Sequence, residues 1–301
     1  MTPMSDPRWP RAGDWLAAGP GSRPPDLAVL GVPTFATSIS QTGAHATPAA
    51  VRRALARLST WCASRHVDVG DLAAWDAGEV EDPDVPVEGE FRVRVRAETA
   101  ASKAKLLLAL GGDNSATFPT MAGVFGDQLG HAGLVTLDAH HDIREGRSNG
   151  SPVRNLLDAG LDPVRVVQVG IADWANSKSY ADEAHARGIT TISRADVASR
   201  GIDVCIKEAL DIAGAGGAPV YVDLDLDVCD RSTAPGCPAS LPGGLSASEA
   251  LQAAFVAGND ARVRAVDITE VDATSDTADG RTVRLAAMCL LEAAAGLALR
   301  P

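Results

Sequence analysis

Three short apolar runs in this chain each break off into acids, amides and histidines, and this arrangement constrains the fold more than any other feature. Lys105 to Leu110 runs into Gly111-Gly112-Asp113-Asn114-Ser115, and Gly133 to Leu137 into Asp138-Ala139-His140-His141-Asp142. Pro219 to Val222 runs into Asp223-Leu224-Asp225-Leu226-Asp227. A short apolar run bounded by polar turns reads as a strand buried on both faces, the kind found in parallel sheets. In an open parallel sheet the carboxyl ends of the strands line one crevice. Three acid-bearing strand ends are therefore expected to meet there. Carboxylates crowded into a dry crevice cannot all stay ionised unaided, because burial and mutual repulsion both penalise the charge. A pair of bound metal cations resolves that conflict most simply.

Elsewhere, strand-like runs alternate with amphipathic stretches, as in successive βαβ units. Leu27 to Gly31, Val164 to Val169, Thr190 to Ile192 and Val263 to Ile268 read as further strands. Thr47 to Leu58, with Pro48 in its first turn, reads as a helix. So do Phe91 to Ala104, Ser177 to Arg187, Ser246 to Gly258 and Arg281 to Leu299. The expected architecture is a single α/β domain over residues 26–301, a mostly parallel sheet between two helical layers. Residues 1–25, rich in proline and glycine, read as an extended N-terminal arm. Arg231 to Gly244, equally rich in them and close to the acids, reads as a wall of the crevice. With 301 residues, 46% of them hydrophobic, the chain can bury a large core as one unit.

A net charge of −12 argues against nucleic acid or an anionic membrane as a partner. No apolar run reaches bilayer-spanning length. The first residues, among them Pro3, Asp6, Pro7 and Arg8, form no signal-peptide core. Cys62, Cys205, Cys229, Cys237 and Cys289 are odd in number and lack a CxxC pair. That reads as reduced thiols in a cytoplasmic protein. Each acid taken alone has an ordinary reading, since an Asp at a strand end usually caps a helix or forms a turn. Their joint occurrence is what argues for metal.

Asp138-Ala139-His140-His141-Asp142 resembles the DAHxD signature of the ureohydrolase family, which contains arginase, agmatinase and formimidoylglutamase. Asp225-Leu226-Asp227-Val228-Cys229-Asp230 with Ala234-Pro235-Gly236 resembles its DxDxxD…APG signature. Asp267-Ile268-Thr269-Glu270 is similar to its DIxE segment, and Gly31-Val32-Pro33 through Val51-Arg52 to its GxP…IR segment. The likeness runs in order along nearly the whole chain. It implies the arginase/deacetylase-like fold, two Mn²⁺ per subunit and a homo-oligomer, trimer or hexamer. The implied ligands are Asn114, Asp138, His140, Asp142, Asp225 and Asp227. His140 and Asp142 would serve different ions, with Asp138, Asp225 and Asp227 at shared or bridging positions. Carboxylate and imidazole donors suit Mn²⁺. Two such ions that share a water lower its pKa, so that hydroxide becomes available near neutral pH.

Departures from the family pattern narrow the choice. The family's GGDH segment ends in histidine where this chain has Asn114, a weaker donor, so one ion is expected to bind less tightly. The HG…P segment, whose histidine is assigned as a proton relay, reads Asn149-Gly150-Ser151-Pro152. Asn114, together with the run from Asp138 to Arg144 and the segment through Arg154, resembles the formimidoylglutamases. The substrate of that branch carries two carboxylates and an amidine. Arg144 and Arg154 could clamp a carboxylate, with Asn149 and Ser151 on the same loop. Glu270 would take the amidine N–H groups. Asp142, Glu270 and His141 are the candidates for moving protons. The ordinary readings are surface ion pairs for the arginines, a strand-end ion pair for Glu270 and a solvated loop residue for His141.

The expected reaction is metal-dependent hydrolysis of N-formimidoyl-L-glutamate to L-glutamate and formamide, a step of histidine degradation. An agmatinase or guanidino-acid hydrolase releasing urea stays open. So does a zinc deacetylase of related fold, although it would need fewer carboxylates. A third alternative is a catalytically impaired relative kept as an oligomeric binding or regulatory subunit.

Overall fold

Every residue of β1 (Leu27–Val32) is buried, as expected of a parallel strand covered on both faces. The computed structural model describes Asp6 and residues 8–301. After β1 come β2 (Trp61–Cys62), β3 (Val67–Asp68), β4 (Ala74–Glu79), β5 (Leu106–Gly111) and β6 (Gly133–Leu137). They are followed by β7 (Val166–Ile171), β8 (Thr190–Ser193), β9 (Val220–Asp225) and β10 (Val263–Thr269). β2 and β3 form a small antiparallel hairpin. The other eight make one parallel sheet in the order β4-β1-β5-β10-β9-β6-β7-β8.

Helices α1 (Ala12–Ala18), α2 (Thr47–Leu55), α3 (Glu88–Lys103), α4 (Thr117–Phe125) and α5 (Pro152–Asp158) belong to the first half. The second half adds α6 (Lys178–Arg187), α7 (Arg194–Arg200), α8 (Ile202–Ala213), α9 (Ala247–Asn259) and α10 (Arg281–Ala298). Strand side chains alternate between two cores. Leu27, Val29, Leu108 and Val222 pack with Leu16, Leu55, Val197, Leu210, Ala253 and Leu290 from α1, α2 and α7 to α10. Leu30, Leu107 and Tyr221 pack with Val93, Met121, Leu156 and Ala184 from α3 to α6. The expected three-layer α/β/α architecture is therefore present. Helices α9 and α10 pack closely: a Cβ on Gly258 of α9 would lie 2.1 Å from the Ala293 carbonyl oxygen of α10, so the two touch through their backbones there.

Several expected boundaries move. The strand read as ending at Val222 runs on to Asp225, so Asp223 and Asp225 are part of the sheet. The arm contains α1, whose Ala12 and Leu16 are buried, and the Trp15 indole donates to the Leu72 carbonyl (3.0 Å). Residues 1–5 and 7 of that arm lie outside the described residues. β4 is a polar edge strand, paired on one side only, which is why no apolar run announced it. Ser246 and Glu249 form a capping box that starts α9 one residue after the expected Ser246. Among the described residues no helix is long and apolar enough to cross a membrane.

The strand order positions the site. The chain lays β1, β4 and β5 on one side and β6, β7 and β8 on the other, then fills the middle with β9 and β10. The four central strands are thus β5, β10, β9 and β6, and every acid-bearing segment identified from sequence leaves one of their carboxyl ends. A crevice at such a switch point is the usual place for a ligand in an open α/β sheet.

Candidate active site

Asp138 follows β6 directly, and its N–H donates to the Val169 carbonyl (3.1 Å), extending the ladder by one residue. Its Oδ1 accepts from the His140 N–H (2.7 Å), closing a tight turn. Its Oδ2 is buried with no hydrogen-bond partner. Asp225 ends β9, and its Oδ1 accepts from the Asp227 N–H (2.8 Å), starting the short 3-10 turn Leu226–Val228. Asp227 Oδ2 then lies 2.9 Å from His140 Nδ1. Asp142 completes the group with a left-handed backbone (φ +51°), costly for a residue with a side chain and typical of functional loops.

These residues fall into two ligand sets. Asp138, His140 and Asp227 form one, and Asp138, Asp142 and Asp225 the other, with the ligand atoms of each set within 4.8 Å of one another. Asp138 belongs to both. Oxygen donors with one imidazole, and a buried carboxylate oxygen left unpartnered, fit two adjacent oxygen-preferring divalent cations.

Electrostatics agree with that demand. Burial first, and then Asp227, raises the Asp138 carboxyl to about 6. Burial and then Asp113 raise Glu270 to about 8. Asp142 and Asp225 are pushed well above the ordinary carboxylate range by burial, followed by Asp138 and Asp227 respectively. Burial works against a charged His140, yet Asp227 and Asp138 raise its imidazole to about 12. Without metal, protons supply the missing positive charge. Beneath the ligands, Asp223 and Asp267 face each other across β9 and β10. Burial, then the partner carboxylate, pushes Asp223 far up, so this pair holds a proton. Asp267 Oδ2 also accepts from Tyr221 (2.7 Å) and lies 2.8 Å from the Thr117 hydroxyl oxygen.

Asn114 takes a different position from a direct ligand. Its Nδ2 donates to Asp142 Oδ2 (2.7 Å), and its Oδ1 accepts from Thr117 (2.7 Å) and Thr269 (3.0 Å). To offer oxygen to a cation the amide would have to turn over. Glu270, also left-handed (φ +61°), accepts at Oε1 from the Asn114 N–H and Asn149 Nδ2, both at 2.7 Å. Asn149 Oδ1 accepts in turn from the Ile39 N–H (3.0 Å).

Three expected site residues are committed elsewhere. Arg154 pairs with both oxygens of Glu183 (3.0 Å each) and donates to the Ile143 and Arg144 carbonyls, so it braces the loop and offers no free fork. Ser151 is fully buried with its hydroxyl on Ser148 (3.0 Å). His141 is buried, its Nδ1 is 2.6 Å from Gln168 Oε1, and burial lowers its basicity; it joins neither ligand set. Arg144 is different: it is exposed, and its guanidinium has no partner among the described residues. Cys229 and Cys237 are free, buried thiols. Gln168 and Asn176, which hold the metal-loop backbone, were not singled out from sequence. The signal for Gln168 was present, a lone amide inside the apolar run Val164 to Val169.

A parallel sheet whose central strand ends gather carboxylates and an imidazole into two adjoining ligand sets defines a metal-dependent α/β hydrolase. The chain belongs to the arginase family, whose sequence model matches residues 25–296. A formimidoylglutamase of Halalkalibacterium halodurans is 33% identical over 302 aligned positions, covering 96% of this chain and 92% of its own. The crystal structure of Bacillus subtilis formimidoylglutamase superposes with a TM-score of 0.91 at 31% identity, covering 99% of this chain and 94% of that one. Trypanosoma cruzi formiminoglutamase, crystallised with Mn²⁺, superposes with a TM-score of 0.86 at 25% identity, covering 97% and 100%.

Two predictions follow from the charge. In the metal-free protein Asp138 and Glu270 hold protons that an unfolded chain has released, since their folded values of about 6 and 8 exceed the ordinary range. That contribution to stability is complete in acid and is lost as pH rises through 6 and then 8. Cations displace the protons and remove the slope. Calorimetry should give the chelated protein a higher Tm at pH 6 than at pH 8, with the difference abolished or inverted by Mn²⁺. A chelated protein more stable at pH 8 would contradict the assignment. Separately, Asp227→Ala should strip Mn²⁺ and abolish activity rather than raise KM; full metal retention would rule Asp227 out as a ligand.

Proposed function

We propose that this chain hydrolyses N-formimidoyl-L-glutamate to L-glutamate and formamide, as a cytoplasmic homo-oligomer in which residues 26–301 act as one domain behind an N-terminal arm. The observation that carries the reading is a chain of contacts: Asn149 holds Glu270 with its amide nitrogen and the Ile39 N–H with its oxygen, and Gly150 next to it lies against Ile39 and the Arg144 stem. Glu270 has a second oxygen free to meet an amidine, and Arg144 has a guanidinium free to meet a carboxylate. The near-full-length likeness to two formimidoylglutamases supports it.

Two Mn²⁺ ions would be held by Asp138, His140 and Asp227, and by Asp138, Asp142 and Asp225. When bound, such ions supply Lewis acidity and make water nucleophilic at neutral pH. The chain's own residues do the rest. Glu270, with Oε1 fixed by Asn114 and Asn149, accepts the amidine N–H groups at Oε2 and so orients the amidine carbon. Arg144 pairs with a substrate carboxylate and holds the glutamate portion at the rim. As the C–N bond to glutamate breaks, the departing nitrogen needs a proton. That proton is the one the attacking water gives up, passed to the nitrogen across the carboxylate of Asp142 or Glu270, since Asn149 offers no titratable group for the task.

The test is a substrate panel with Mn²⁺-loaded protein: formimidoylglutamate, agmatine and guanidinobutyrate. Glutamate and formamide should be released from the first. A charge-assisted bidentate contact is worth about 1.5–3 kcal/mol, so Arg144→Ala should lower kcat/KM by roughly tenfold to a hundredfold. Metal content should not change, and Arg144→Lys should recover only part of the loss. Urea release from agmatine in preference, or equal kcat/KM in wild type and Arg144→Ala, would overturn the proposal.

A further inference from the structure

We infer that Gly150 and Ile39 are positioning residues that hold the Arg144 side chain in a fixed pose and thereby set the preference for a carboxylate-bearing amidine. The inference rests on the role given to Arg144 above. A Cβ built on Gly150 would lie 2.9 Å from Arg144 Cδ, 3.3 Å from Arg144 Nε and 3.1 Å from Ile39 Cδ1. The arginine stem therefore crosses a bare α-carbon, with the isoleucine beside the same notch. The Arg144 N–H also donates to the Gly150 carbonyl (3.0 Å), tying the two ends of the loop together.

Backbone conformation does not explain this glycine. The residue in the loop with a left-handed backbone is Gly146 (φ +85°), whereas Gly150 has no such angle. Alanine is therefore conformationally acceptable at position 150. What it would cost is space, and the atoms in the way belong to the far part of a flexible side chain. The substitution should shift Arg144 and leave the loop alone.

Ile39 supplies the second wall. It is 56% exposed, a large aliphatic side chain placed where core packing does not call for it. Its backbone N–H is held by Asn149 Oδ1, and the other end of that same amide holds Glu270. One side chain thus fixes the arginine's trough relative to the carboxylate that receives the amidine. A guanidinium restricted before substrate arrives loses less freedom on binding, which favours substrates that use it.

The experiment is a double-mutant cycle on the Mn²⁺-loaded enzyme with formimidoylglutamate. Gly150→Ala should raise KM about tenfold, the scale of a misaligned charge-assisted contact, with kcat and metal content little changed. In an Arg144→Ala background the same change should alter KM by less than about twofold, because nothing is left to displace. Ile39→Ala should show a smaller KM increase that likewise vanishes without Arg144. As a surface change it decides the matter if Gly150→Ala fails to fold. Equal effects with and without Arg144, or no change in KM, would overturn the inference alone. Absence of wild-type turnover would overturn the functional reading and this inference together.

Discussion

Carboxyl groups crowded into a nearly dry crevice with a single imidazole among them, at the carboxyl ends of β5, β10, β9 and β6, are the constraint around which this molecule is arranged. Asp138, Asp142, Asp225, Asp227 and Glu270 are each almost wholly shielded from water. Left ionised and unpaired, such groups would oppose folding by several kcal/mol each. The strand order concentrates them at one switch point, so the same topology creates the electrostatic cost and the place where a cation can relieve it. Asp142 and Glu270 also carry left-handed backbones, a conformation that costs energy for residues with side chains and recurs at functional sites.

A second ring of groups keeps these acids in place. Thr117 and Thr269 fix the Asn114 amide, which steadies Asp142. Gln168 and Asn176 hold the backbone of the loop carrying His140 and Asp142. Asn149 connects Glu270 to the loop bearing Ile39. The candidate ligand sets thus sit on strand ends, and Arg144, Asn149 and Ile39 sit on adjoining loops. A rigid sheet gives such sets their precision, and loops tolerate variation better than the strands they connect.

The gathering of the acid-bearing segments was legible in the sequence because each follows an apolar run, and a strand end fixes where the next residues go. That places Asp138, His140, Asp142, Asp225 and Asp227 together, whereas their separate ligand roles, and that of Asn114, were implied by the likeness to the family's signatures. The partners of Arg154, Ser151 and His141 were not legible. Arg154 meets Glu183 on α6, and His141 meets Gln168 on β7, contacts set by how separate elements pack. Among the elements, β4 was hidden by its polar edge position. α1 lay in a proline- and glycine-rich stretch that reads as coil, and α4 begins directly behind Gly111-Gly112-Asp113 with Pro119 in its first turn. The trough under Arg144 depends on an atom that glycine lacks, which no residue pattern announces.

The most direct test of the whole account is a count of manganese. Protein stripped with chelator, reloaded with Mn²⁺ and desalted should carry two ions per chain by mass spectrometry, one for each ligand set. It should regain the ability to release glutamate and formamide only as those ions return. A stripped protein that keeps full turnover of formimidoylglutamate, or a reloaded one that retains no manganese, would contradict it.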